Sequence, residues 1–135
     1  MLAGNIASNN SLGIYLQDSG NNIITNNTAY SNICGIYLYS SSNNTIYNNY
    51  FNNTNNAYDD GDNIGNITKT DGTNIIAGSW LGGNYWSDYT GEDSDGNGLG
   101  DTHIPYNSSS GIRNGGDWLP LVMSAPEATR ISLSP

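Results

Sequence analysis

The stretch GIYLQDSGNNIITNNTAYSNIC, from Gly13 to Cys34, is followed without a break by GIYLYSSSNNTIYNNYFNNTNN, from Gly35 to Asn56. A chain that writes one 22-residue pattern twice in tandem is restricted to folds built from a repeated unit. In register, Gly13 aligns with Gly35, Ile14 with Ile36, Tyr15 with Tyr37 and Leu16 with Leu38. Asn22, Ile24, Asn26 and Asn27 align with Asn44, Ile46, Asn48 and Asn49. One period back, Leu2, Asn5 and Ala7 fall under Ile24, Asn27 and Ala29. One period forward, Ala57 and Tyr58 fall under Gly35 and Ile36, and Asp59 and Asp60 take the places of Tyr37 and Leu38. The repeat is expected to stop there.

Within each copy the local period is two. Ile14 and Leu16 point one way and Tyr15 the other, the mark of a short strand bounded by Asn, Ser and Gly turns. Asn, Gly, Tyr and Thr are poor helix formers, and no window shows a 3.6-residue period. Short strands repeating every 22 residues predict an all-β solenoid, a parallel β-helix whose coils stack about 4.8 Å apart. Like residues then lie over like. The expected inner stacks are Leu2/Ile24/Ile46, Ala7/Ala29/Phe51, Ile14/Ile36 and Leu16/Leu38. Asparagine tolerates left-handed corners, and its amide can bond to the amide one coil away. Asn5, Asn27 and Asn49 are expected to form such a ladder.

The chain holds 23 Asn, but also ten Tyr and three Trp, so the bias reads as repeat rather than disorder. Net charge is −9, with Lys69, Arg113 and Arg130 the only cations. That argues against a nucleic-acid partner and against an anionic membrane surface. A single cysteine, Cys34, excludes an internal disulfide. No stretch is long and apolar enough to span a membrane. The opening residues lack a basic start and an apolar run, so the sequence reads as a mature fragment or an excised module. Asn9, Asn26, Asn43, Asn52, Asn66 and Asn107 head N-x-Ser/Thr sequons and are glycosylation candidates. An exported surface protein is expected. Few coils bury little, and the first would expose unpaired strand edges. That edge is expected to be covered by upstream coils of a longer chain or by another copy, as in a head-to-tail homo-oligomer.

The writing changes at Asp59. The expected division is coils over 1–58, a capping region over 59–122 and a tail or linker over 123–135. Asn63 to Thr68 and Thr73 to Ala77 read as further strands. LGGNYWSDYTG reads as a glycine-hinged loop. Trp80, Tyr85, Trp86 and Trp118 are expected to close the open end of the solenoid. The rival reading of exposed aromatics here is a glycan-stacking platform, drawn from Trp86, Tyr85 and Tyr37, with Tyr15 and Tyr39 beside Tyr37. DSDGNGLGD, Asp93 to Asp101, places oxygen side chains at loop positions 1, 3, 5 and 9: Asp93, Asp95, Asn97 and Asp101. Gly98 stands at position 6, where a calcium loop turns tightly, and Leu99 at position 7 offers a carbonyl. Position 12 is Ile104, not Glu, which excludes a helical EF-hand. Ca²⁺ is the expected cofactor, with Asp88, Glu92 and Asp117 as further ligand candidates.

The tandem GIYLxxSxNNxIxNN coils, with GGNYWSDYTGEDSDGNGLGDT from Gly82 to Thr102 and GGDWLPL from Gly115 to Leu121, resemble archaeal cell-surface proteins with NosD-type, pectin-lyase-like repeats. The resemblance spans about Leu2 to Val122. It implies a right-handed parallel β-helix, export and a place in the cell envelope. The NosD name also suggests copper delivery. Copper favours His, Met and Cys, and His103, Cys34, Met1 and Met123 share no uniting spacing. The coils hold only Asp18 as an acid before Asp59, so paired catalytic carboxylates are missing from them. The expected function is a non-catalytic scaffold, adhesive or self-assembling envelope module, with a carbohydrate-binding module or a remnant polysaccharide enzyme as the alternative.

Overall fold

A computed structural model describes residues 1–124; residues 125–135, most of the expected tail, lie outside the described residues. Alternation decides the architecture. Each copy supplies three short strands, and the inward side chain of each meets its counterpart one coil away. The first coil holds β1 (Leu2–Ala3), β2 (Ile6–Ser8) and β3 (Leu12–Gln17). The second holds β4 (Ile23–Thr25), β5 (Thr28–Tyr30) and β6 (Cys34–Tyr39). The third holds β7 (Thr45–Tyr47), β8 (Tyr50–Asn52) and β9 (Asn55–Asp59). Three parallel sheets result, ordered β1-β4-β7, β2-β5-β8 and β3-β6-β9. The chain is a parallel β-helix, and the described residues contain no helix.

The register is the one the repeat predicts for the first two coils. Leu2 pairs with Ile24 and Ile24 with Ile46; Ala7 pairs with Ala29 and Ala29 with Phe51; Ile14 pairs with Ile36 and Leu16 with Leu38. Ile24, Ala29, Ile36, Leu38 and Phe51 are buried in one continuous core. Each large apolar side chain so buried contributes roughly 1.5–3 kcal/mol.

The third coil departs from the expectation. It is 21 residues long, because the corner after Asn52 lacks one residue: Tyr30 pairs with Asn52, whereas Asn32 bonds to Asn53. Ala57 therefore lies over Ile36, Tyr58 over Tyr37 and Asp59 over Leu38. The contiguous coils end with β9 at Asp59, as expected, but one corner residue is lost before that strand, so its register is shifted by one.

The corners explain the asparagine doublets. Left-handed φ values recur one coil apart at Gly4, Asn26 and Asn48, at Asn9 and Ser31, and at Asn21 and Asn43. Glycine or asparagine tolerates that conformation best. The next residue points inward. Asn5 donates its backbone N–H and its Nδ2 to Asn27 Oδ1, both at 3.0 Å. Asn27 repeats the pair of bonds to Asn49 Oδ1, again at 3.0 Å. So one Asn of each doublet turns the chain and the other bonds coil to coil. The Nδ2 groups of Asn27 and Asn49 also reach carbonyls of the coil beneath, those of Leu2 and Ile24, each at 2.9 Å.

A fourth level closes the core, and it is pieced together from separated segments. Ile64 bridges to Thr45, β12 (Tyr85–Trp86) pairs with β8, and Ile112 bridges to Asp59. Trp86 lies over Phe51 with ring centroids 4.7 Å apart, and Tyr106 lies over Trp86 at 4.3 Å. Two of the expected strands are absent. Within Asn63 to Thr68 only Ile64 forms a bridge, because it is inserted singly between Thr45 and Gly116. Thr73 to Ala77 is a turn wound on Asn74, whose Oδ1 accepts from the N–H groups of Ile76 and Gly78. The turn joins β10 (Thr70–Asp71) to β11 (Trp80–Leu81), an antiparallel pair outside the solenoid.

Candidate functional site

The acidic loop is shaped by its glycines and by its own carboxylates. Gly96 and Gly98 take φ values of 75° and 88°, so the backbone winds back on itself. Asp93 accepts the N–H of Asn97 at 3.1 Å and of Gly98 at 2.7 Å. Asp101 Oδ2 accepts the N–H of Ser94 at 2.7 Å. One carboxylate oxygen each from Asp93, Asp95 and Asp101 comes to within 4.8 Å of the others. Asn97 Oδ1 accepts the N–H of Leu99 at 2.9 Å.

Leu99 itself is buried and bridges antiparallel to Leu121. That bridge is carried by Gly98 C=O, which accepts from Val122, and by Gly100 N–H, which donates to Pro120. The N–H of Leu99 turns away from Leu121 and donates to Asn97 Oδ1. The loop thus brings three carboxylates together, a hard-oxygen set suited to Ca²⁺. Its other side is tied by the bridge from Leu99 to Leu121.

The further ligand candidates lie elsewhere. Glu92 meets the loop through its backbone, its C=O accepting from Asp101 N–H at 2.7 Å. Asp88 accepts from Asn56 Nδ2 at 2.8 Å and from Tyr106 OH at 2.6 Å. Asp117 is fully buried and accepts from Trp86 Nε1 at 2.8 Å, Asn84 N–H at 2.7 Å and Leu119 N–H at 2.9 Å. Burial pushes its carboxyl from an ordinary 3.8 up to about 7, against the pull of those donors.

The aromatic candidates are consumed by stacking. Trp86 is 3% exposed, sandwiched between Phe51 and Tyr106, which leaves it no face for a sugar. Tyr85 is half-buried with its ring stacked on Tyr50 at 4.7 Å. Tyr37 lies between Tyr15 at 5.6 Å and Tyr58 at 4.5 Å. Tyr37 and Tyr58 line a groove of about 620 Å³ together with Ile33, Cys34 and Ser108 to Gly111. Among the sequon asparagines, Asn9, Asn26, Asn43, Asn52 and Asn107 are exposed, whereas Asn66 is half-buried and accepts the N–H of Trp118 at 3.0 Å.

A feature without a local signal in the sequence is how the ladders end. The first continues from Asn49 to Asn84 Oδ1 and from Asn84 to Asp117 Oδ2. A second runs Asn10, Asn32, Asn53, Asn56 and then Asp88. A third runs Asn22, Asn44, Asn63 and then Asp59. Every link donates in the same direction. Each ladder ends on a carboxylate, which accepts and has nothing it must donate. Only the spacing of the coil asparagines could have been read in advance; the terminators sit on segments that fold back from far along the chain.

Residues 1–91 match the family model described as periplasmic copper-binding protein (NosD). No match was found among curated proteins or among solved structures. The donor set does not suit copper. The Cys34 thiol is buried, donates to Ile36 C=O at 3.4 Å and is pushed up in pKa by desolvation, opposite to what a metal thiolate needs. His103 Nδ1 lies 3.1 Å from Thr90 Oγ1, and Met1 and Met123 are exposed. Among the described residues, the one grouping of three potential metal-binding side chains of the His, Cys, Asp or Glu type is all carboxylate. With more than half of its length matched, this chain belongs to the NosD family of β-helix proteins.

Proposed function

We propose that the chain is a non-catalytic module of the cell envelope, a stiff β-helical scaffold or adhesive surface whose cap is locked by Ca²⁺. The observation that carries this reading is the convergence of Asp93, Asp95 and Asp101 in a loop whose far side is bridged to Leu121. An ion held there joins the loop to the segment that closes the solenoid. Extracellular calcium modules operate at about 10⁻⁴–10⁻³ M, in keeping with a family described as periplasmic. Supporting the non-catalytic reading, Asp59, Asp88 and Asp117 end the ladders. No helix of the described residues is long and apolar enough to cross a membrane.

The test is thermal melting against Ca²⁺ concentration. A ligand bound only by the native state adds about 2.7 kcal/mol at a hundredfold excess over its Kd. The melting temperature is expected to rise with Ca²⁺ for the parent chain and to stay level for Asp95→Ala. An unchanged melting temperature in the parent defeats the assignment. The groove beside Tyr37 and Tyr58 supports a second reading, carbohydrate binding, and Tyr37→Ala is the variant that tests it on a glycan array.

A further inference from the structure

The ladders have a direction, and it makes the two ends of the solenoid unlike. At the capped end the donors run into Asp117, Asp88 and Asp59. At the other end, Asn5, Asn10 and Asn22 spend their amide N–H groups on the coil above and on nearby carbonyls. Among the described residues nothing donates to the Oδ1 of these three. Strands β1, β2 and β3 are the edge members of their sheets on this same side. Asn5 and Asn10 are exposed there, and Ile6 is 75% exposed. The amide orientation is forced, because each Oδ1 higher in the ladder accepts a backbone N–H that an NH₂ group could not take.

We infer that this open end is an interaction surface for one further coil of the same repeat type, which presents a backbone N–H and an Asn Nδ2 to each of Asn5, Asn10 and Asn22. The polarity selects that occupant. A second copy meeting the surface with its own open end sets acceptor against acceptor at three positions. A second copy meeting it with its capped end brings ladders already closed by carboxylates. Two of these carboxylates, Asp59 and Asp117, are buried beneath the cap, and the third, Asp88, is again an acceptor. Neither supplies three donor pairs. A coil with asparagine in register supplies all three and also pairs the free edges of β1, β2 and β3.

The experiment adds one coil, a copy of residues 23–44, directly before Met1 of the full chain, and follows backbone hydrogen exchange. A matched chain carries aspartate at the three ladder positions of that added coil. With asparagine, exchange of the β1, β2 and β3 amides is expected to slow by more than about tenfold and the melting temperature to rise. With aspartate, those amides are expected to exchange as in the parent. Equal protection by both coils, or protection by neither, overturns the inference. So does a parent chain that forms dimers in solution with these same amides protected, since the surface would then accept a second copy.

Discussion

Asn49→Ala removes the middle of the first ladder, and its cost can be worked out bond by bond. Asn49 is fully buried. Its Oδ1 accepts the N–H and the Nδ2 of Asn27, and its Nδ2 donates to Asn84 Oδ1 at 2.9 Å and to Ile24 C=O at 2.9 Å. Alanine leaves the Asn27 N–H and the Ile24 carbonyl buried without their partners from residue 49. Each such group costs about 1–3 kcal/mol, so the loss is about 2–6 kcal/mol before any cavity is counted. Asn5 is the control, because it is exposed at the end of the same ladder. Asn5→Ala leaves groups that water can reach, and the change is expected to stay within about 0.5 kcal/mol.

Urea unfolding followed by tryptophan fluorescence measures both variants, since Trp86 sits directly over the third coil. A loss of about 2–6 kcal/mol is a large part of the 5–15 kcal/mol typical of a whole domain, so the midpoint shift should be unmistakable. Asn49→Asp sharpens the test. Aspartate still accepts from Asn27 but faces Asn84 Oδ1 and Ile24 C=O as one more acceptor. It is expected to be at least as destabilising as alanine despite its nearly identical shape. If Asn49→Ala matches Asn5→Ala, or if Asn49→Asp is tolerated, the directional ladder does not hold the coils together.

Two further outcomes follow from the cap. The Asp117 carboxyl is raised from 3.8 to about 7 by burial, so between those values the native state holds a proton that the unfolded chain has lost. Its contribution is therefore complete at low pH and lost as pH rises through about 7. Asp59, also raised by burial, adds to the same slope, and Asp117→Asn is expected to flatten it in urea midpoints taken from pH 5 to pH 8. A Cβ at Gly83 would collide with both carboxylate oxygens of Asp117, and Gly83→Ala should lower the melting temperature by displacing the carboxylate from Asn84 and Trp86. A Gly83→Ala melt equal to that of the parent contradicts this packing.

What could be read in advance, and what could not, divides along a physical line. Ile24 over Ile46 and Ala29 over Phe51 follow from a fixed period, because parallel stacking brings residues one period apart into contact. The same reasoning misplaced Tyr58 by one residue, since a corner can shed a residue at no cost to the strands on either side, and period arithmetic does not detect the deletion. The expectation that Trp86 closes the open end holds, whereas Trp118, expected beside it, is 52% exposed. Nothing local to NYWSD says that β12 returns to lie on β8, 35 residues behind; only the need to cover Phe51 says so. The convergence of Asp93, Asp95 and Asp101 was legible because they lie within nine consecutive residues. The ladder terminators were not, because Asp117 closes a ladder whose previous member, Asn84, is 33 residues away. A repeat carries no internal statement of where it ends: each coil offers its successor the same donors and acceptors. An end must therefore break the pattern chemically, and replacing Asn with Asp does so with the smallest change of shape. The amide that both accepts and donates gives way to a carboxylate that only accepts, so the next coil has no donor to receive.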